Sequence, residues 1–233
     1  NQVFVRTHQN KFSQALNFNF NQWQNEKGFK KFASHFYNQT SFLIDRKIKR
    51  NGANFDLNPF SKEEEELIGL NTNFRNSLFF NRGKQHHSTT YSFLLNESQN
   101  LLSVGSVAAK NQAHQVQYQH LVKKSWLFNF SGSTTKTEST SENYPNRNFE
   151  IDGYQIEPKI GYLFSKNASW DIFYEFQQKE NQIGAFETLK QTRLGTSFTF
   201  NSEKGFSMNG EFSMYNNSYD GNALSAVGFQ MLE

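Results

Sequence analysis

At 233 residues with 36% apolar content, a mean hydropathy of −0.76 and a formal charge of +3, the chain can hold one large β domain or two small ones. It is poor in the Val, Leu and Ile that fill a thick two-layer core. Its 26 Phe, 9 Tyr and 3 Trp suit a single layer, aromatic on one side and polar on the other, while the zero Cys count excludes thiolate zinc sites and disulfide frameworks.

The chain opens "NQVFVRTH", with neither an initiator Met nor a signal peptide. It closes "GFQMLE", which reads as the middle of a segment, so the sequence is expected to be part of a longer protein. Residues 1–66 read as irregular strands with one short helix. "LNFNFNQW" alternates well and "SFLIDRKIKR" passably, and Phe29, Phe32 and Phe36 between them have helical spacing, which predicts a short amphipathic helix near 29–37. "RKIKR" (Arg46–Arg50) reads as a solvated strand end, with contact to lipid phosphate as the sharper alternative. "SKEEEEL" has capping-box spacing from Ser61 to Glu64 and reads as a solvated acidic turn, since a calcium loop's ligand spacing is missing.

From Leu67 to Leu232 the period is two, the spacing of a strand whose side chains leave on opposite faces. One register holds Leu70, Phe74, Leu78 and Phe80, then Tyr91 and Phe93, then Val116, Tyr118 and His120. It continues through Trp126, Phe128 and Phe130, then Ile156, Ile160 and Tyr162, then Trp170, Ile172, Tyr174 and Phe176. Leu194, Phe198 and Phe200, then Phe206, Met208, Phe212 and Met214, complete the clear runs. Vaguer runs at Leu101–Ala109 and Ala223–Leu232 bring the expectation to about ten strands. The polar stretches between runs, such as "NESQN", "AKNQA", "VKKS" and "FSKNAS", are too short for crossover helices, so the strands should form an antiparallel up-and-down meander. The longest, Thr137–Asn148, Lys179–Glu187 and Asn216–Asn222, should lie together at one end, with "VKKS" and "NSEKG" at the other. Pro158 lacks a ladder donor, which predicts a bulge or an edge there.

The aromatic register could meet a second sheet or lipid. Runs of nine to thirteen residues exceed the usual soluble strand and match a tilted bilayer crossing. The charges Arg75, Glu157, Lys159, Asp171, Glu175, Arg193 and Glu211 all fall on the opposite register. That register is otherwise rich in Asn, Ser, Gln and Thr, as a hydrated lumen would be. The expected fold is therefore an all-β, antiparallel up-and-down transmembrane β-barrel, part of a larger one. Those seven charges face the lumen, and Phe74, Tyr91, Phe128, Ile160, Tyr174 and Phe212 face lipid. Trp126, Trp170, Phe164 and Tyr215 would form an interfacial girdle. No apolar run reaches the roughly 18 residues of a membrane helix.

"NFRNSLFFNRGKQ", "RNFEIDGYQIEPKIGYLF" and the closing "GFQMLE", preceded by "FDLNPF", resemble the C-terminal region of large outer-membrane β-barrel proteins of the Bacteroidota. The resemblance spans about Phe55 to Glu233. It implies a bacterial outer-membrane location and barrel architecture, and says little about activity.

No catalytic motif is present: there is no G-x-S-x-G, H-E-x-x-H or P-loop. His86 and His87 would point to opposite faces of a strand, and nothing near Ser88 supplies an orienting acid. Asp171 and Glu175 lie about 13 Å apart along one strand face, too far for a paired acid and base, and should pair with Lys159 or Arg193 instead. The expectation is a non-enzymatic pore, transport element or envelope scaffold, without cofactor, catalytic residue or metal. Its partners would be the lipid bilayer, lipopolysaccharide and other envelope proteins, and not nucleic acid, which usually needs a basic stripe. The alternative is a soluble extracellular β-sandwich that binds carbohydrate or protein through its loops.

Overall fold

The computed structural model describes residues 6–50, 67–84, 86–102, 105–184, 186–202 and 205–232. Ten strands follow one another in a single sheet: β1 (Arg6–Asn19), β2 (Phe36–Arg50), β3 (Leu67–Phe80), β4 (His87–Leu102) and β5 (Gly105–Val122), then β6 (Trp126–Ser141), β7 (Phe149–Ser165), β8 (Ala168–Asn181), β9 (Thr188–Asn201) and β10 (Ser207–Asp220). Every neighbouring pair is antiparallel and sequential, the expected meander. No pairing joins β1 to β10 among the described residues, so the sheet is open there.

Several sequence expectations need correction. The strands are 14–18 residues long, longer than the apolar runs suggested. "NESQN" and "AKNQA" belong to β4 and β5, which absorb the vague run at Leu101–Ala109. The run at Ala223–Leu232 is no strand; it contains the helix α2 (Ala226–Leu232). The total of ten is reached because β1 and β2 are as long and regular as the rest, not irregular. Alternation fades in these places because both faces turn polar, while the backbone ladder continues regardless. The short helix near 29–37 is present as α1 (Phe29–Ala33). The acidic turn at 61–66 and "FDLNPF" lie outside the described residues.

Connections 20–35, 81–86, 123–125, 166–167 and 202–206 gather at one end, here the lower. Connections 142–148 and 182–187 and the segment after β10 gather at the upper end. The expected separation of "VKKS" and "NSEKG" from the longer loops holds. Those loops are shorter than expected, because their flanks extend β6, β8 and β10. Pro158 sits in interior strand β7 without a bulge. The β7–β8 ladder skips Glu157 and Pro158 and resumes in the same register, and the shift occurs instead between Leu163 and Ser165.

Cross-strand partners share a face, so the registers define two faces across all ten strands. Face A carries Phe74, Tyr91, Val116, Phe128, Ile160, Tyr174, Leu194 and Phe212, and face B the alternate residues. Within "RKIKR" the alternation places Arg46 and Ile48 on face A, where both are buried, and leaves Lys47 and Lys49 exposed on face B. A wholly solvated strand end is therefore wrong at Arg46.

A conventional apolar cluster exists at the upper end of face B. Met231 and Val227 of α2 pack on Ile151 and Leu189, with Phe149 and Tyr219 at the margin. Buried Glu187 ties the segment down by accepting from Tyr219 Oη at 2.7 Å and Ser225 Oγ at 3.3 Å, and Lys179 Nζ donates to the Met231 carbonyl at 3.1 Å. Leu189→Ala should cost about 2–5 kcal/mol by leaving a cavity. Leu194→Ala, at a face-A residue that is 52% exposed, should cost clearly less. Urea denaturation of the two variants in one detergent checks the ranking, and equal losses would deny α2 its anchoring role.

Candidate functional site

The seven charges singled out from the sequence all lie on face B. Six of them concentrate on β7–β10. Lys159 Nζ meets Asp171 Oδ2 at 3.2 Å, and Arg193 Nη1 meets Glu175 Oε2 at 3.6 Å. The Arg193 guanidinium also pairs with Glu211. Gln155 Nε2 donates to Glu175 Oε1 at 2.8 Å, and Ser131 Oγ donates to Glu157 at 3.5 Å. The expected pairing of Asp171 and Glu175 with Lys159 and Arg193 is thus present. Arg75 stands apart on β3, exposed. Four carboxylates against two cations leave this patch negative, a fixed field that favours cations near it.

Local sequence makes room for the ladder. Gly161 lies opposite Asp171, and a Cβ there would strike the Asp171 carboxylate. Gly195 lies opposite Phe173, and a Cβ there would enter the Phe173 ring. That ring is buried on face B and supports Arg193, whose guanidinium sits 4.8 Å from the Phe173 centroid and 5.2 Å from that of Tyr215. Tyr215 is therefore a face-B partner of Arg193 and not a member of an outer girdle, a correction that follows from its odd place in β10.

On face A, Tyr91, Phe128, Ile160, Tyr174 and Phe212 are exposed, while Phe74 is half-buried between Phe42 and Leu95. On β7–β10 burial is inverted with respect to chemistry, with Glu211 (side chain 49% exposed) as the exception. The side chains of Asp171, Glu175, Arg193 and Lys159 are 15%, 26%, 27% and 32% exposed, whereas Ile160, Leu194 and Phe212 are 47%, 52% and 66% exposed.

The apolar band of face A sits toward the lower end and stops short of the upper one. Above it, Glu97, Lys110, Glu138 and Glu150 form one directly paired row, and Gln112, Lys136, Asp152 and Glu180 the next. Lys136 bridges Glu138 and Glu150 at 3.3 and 2.6 Å, and Lys110 meets Glu97 at 3.5 Å. The charge-free register therefore holds over the apolar runs but not over whole strands.

The foot of the band is a belt of rings. Phe32, Phe36 and Phe80 pack together at 5.1–6.1 Å, Phe80 meets His87 at 5.7 Å, and His87 meets His120 at 5.8 Å. Trp126, Tyr162 and Phe164 continue it at 4.9 Å spacings, with Trp170 directly opposite Tyr162. His86 lies in the turn and is exposed. No group of three metal-ligating side chains occurs among the described residues.

The lower connections carry a feature that alternation did not reveal. Among the described residues, Lys27, Lys30, Lys31, Arg82, Lys84, Lys123, Lys124 and Lys166 stand there against Glu26 alone. The signal was present in "NRGK", "VKKS" and "FSKN", each a turn with lysine, but only the fold brings those turns to one rim.

Gly195→Val should destabilise by about 1–3 kcal/mol through displacement of the Phe173 ring, and Gly161→Ala by less, since the Asp171 carboxylate can swing away. Arg193→Gln should lower the urea midpoint more than Arg193→Lys, which keeps a positive charge beside Glu175 and Glu211. Equal losses in the two variants would mean that Arg193 acts by packing alone.

Comparison with family models, with curated proteins and with solved structures finds no match to this chain.

Proposed function

We propose that these strands are a section of the wall of a bacterial outer-membrane β-barrel, with face A toward lipid and face B toward an aqueous interior. The observation that carries this reading is the inverted burial on β7–β10, where Lys159, Asp171, Glu175 and Arg193 on face B are better covered than Ile160, Leu194 and Phe212 on face A. Water penalises that arrangement at about 25 cal/mol per Å² of apolar surface left exposed, whereas lipid does not.

Two magnitudes support it. The accessible surface is 16033 Å², against about 11,000 Å² for a compact monomer of this mass. A single layer has the excess that a lipid face would cover. The face-A band on β7 runs from Tyr154 to Phe164, about 33 Å at about 3.3 Å per residue. A strand tilt of about 40° reduces this to roughly 25 Å, the height of a barrel's apolar band.

The function that fits is a pore, transport element or scaffold within an envelope complex, not catalysis. The long-loop end would face outside, as longer loops do in bacterial barrels, with the charged rows above the band at the level of lipopolysaccharide headgroups. The resemblance to Bacteroidota barrels supports the same location. Unpaired edge groups in lipid cost several kcal/mol each. On this reading β1 and β10 are joined in the membrane, to each other or to further strands. A soluble sandwich fits less well, since all ten strands occupy one sheet and no second sheet meets face A among the described residues.

The chain contains no Cys, so single-Cys labelling is clean. Ile172→Cys and Leu194→Cys on face A, and Asn129→Cys and Gln155→Cys on face B, are folded into vesicles. Fluorophores at the face-A positions should be quenched by brominated lipid. The face-B positions should react with a water-soluble maleimide. Uniform labelling of both sets by the maleimide would sink the membrane reading, as would a folded, unheated sample that stays soluble without detergent.

A further inference from the structure

The segment after β10 leaves the plane of the sheet. It turns through Gly221–Ser225 and lays α2 on face B, where Val227 and Met231 are buried against Ile151 of β7 and Leu189 of β9. Polar contacts fasten it across the same strands: Lys179 of β8 donates to the Met231 carbonyl, and Glu187 accepts from Tyr219 and Ser225. Ser225 Oγ also caps the helix by accepting from Gly228 N at 2.8 Å, and Leu224 N donates to Asn222 Oδ1 at 3.0 Å. The turn is tightly fitted. A Cβ at Gly228 would strike the Asn222 carbonyl, and one at Gly221 would meet the Tyr219 hydroxyl and the Glu187 side chain. α2 is thus an element with a fixed seat, not a frayed end of β10.

Its two sides differ. Val227 and Met231 stand about one helical turn apart and face the sheet. Phe229, two residues from each, therefore points away from the sheet, with Leu232 beside it; they are 62% and 45% exposed. On the membrane reading, face B looks into an aqueous interior and the upper end is the outer mouth. The helix then stands in the water path with two apolar side chains projecting into it. Apolar surface left in water costs about 25 cal/mol per Å², so burial does not account for Phe229 and Leu232. A constriction does: it narrows the path by the bulk of a body about 10 Å across, and its apolar lip disfavours water.

We propose that α2 is a constriction at the outer mouth of a pore, with Phe229 and Leu232 setting the largest solute that passes. The proposal rests on the membrane reading and, within it, selects a pore for small hydrated solutes over a scaffold.

The test folds the full chain into vesicles and follows osmotic swelling with neutral sugars of graded size, a pentose, a disaccharide and a trisaccharide. The parent should admit the pentose and exclude the trisaccharide. Phe229→Ser/Leu232→Ser leaves the docked side of α2 untouched and should speed disaccharide entry about twofold or more, since it trims a mouth of helix dimensions. Val227→Asp/Met231→Asp should unseat α2 and admit the trisaccharide; it is scored only where it keeps its folded form, and the serine pair carries the test by itself. Ile183→Ser, exposed at the same end but outside α2, should leave the size limit unchanged. A serine pair that swells like the parent overturns the proposal, as does a parent that admits all three sugars equally or a set that admits none. Gel mobility with and without heating is run on every sample. A heat-shifted band with a size limit indifferent to α2 rejects the constriction alone. A chain with no heat-shifted form rejects the membrane reading and the constriction with it.

Discussion

The antiparallel ladder is the constraint on which everything else in this molecule depends. With one layer and no second sheet among the described residues, the long strands are held chiefly by backbone hydrogen bonds and cross-strand pairs, since little apolar surface is available to bury. The same ladder fixes function-bearing chemistry to a side. A slip of one residue would transfer an entire strand's side chains to the other face. The register shifts fall at Lys47/Ile48 and Leu163/Ser165, both near strand ends. The assignment of faces therefore survives from β1 to β10.

Once the faces are fixed, their different crowding does the rest. Face B packs small and polar residues closely enough that Ser77 and Ser92 share a buried hydrogen bond at 2.9 Å. Lys159 and Arg193 gather Asp171, Glu175 and Glu211 into ion pairs there, and the patch keeps a net negative charge. Gly161 and Gly195 are part of this arrangement: each removes a side chain where the residue on the next strand must lie across the sheet. Face A spreads its rings outward, where they touch along a belt in which Phe32, Trp126, Phe164 and Trp170 remain exposed. A solvent that accepts rings on one side and ions on the other accounts for both faces under the proposed membrane reading.

The two ends differ in kind. At the upper end the strands outrun the apolar band, carry ion pairs on face A, and receive α2 onto face B through Val227 and Met231. At the lower end the turns follow the rings almost immediately, and lysine and arginine collect beside them. An amphipathic boundary of rings and cations is what a protein needs where it meets an anionic surface. At the upper end Lys110 and Lys136 are instead engaged by Glu97, Glu138 and Glu150.

The sequence by itself determined the strand pattern from Leu70 onward and both membership lists, because period two is a local property of an extended chain and needs no partner to be read. All seven charges and all six named apolar residues fell on the sides that their spacing required. Strand ends were illegible wherever both faces turned polar, as at "NESQN" and "AKNQA", since alternation marks burial while the ladder is held by backbone groups that every residue except Pro carries in full. The helix at Ala226–Leu232 was read as a strand because its apolar residues are too few to separate the two periods, and packing of Met231 against Leu189 decided the matter. Tyr215 was misplaced because an aromatic near a strand end looks alike on either face until Arg193 is found beneath it. Only the tertiary structure seated α2 on face B, since Ile151 and Leu189, distant in sequence, become neighbours under Met231 solely through the pairing of β7, β8 and β9.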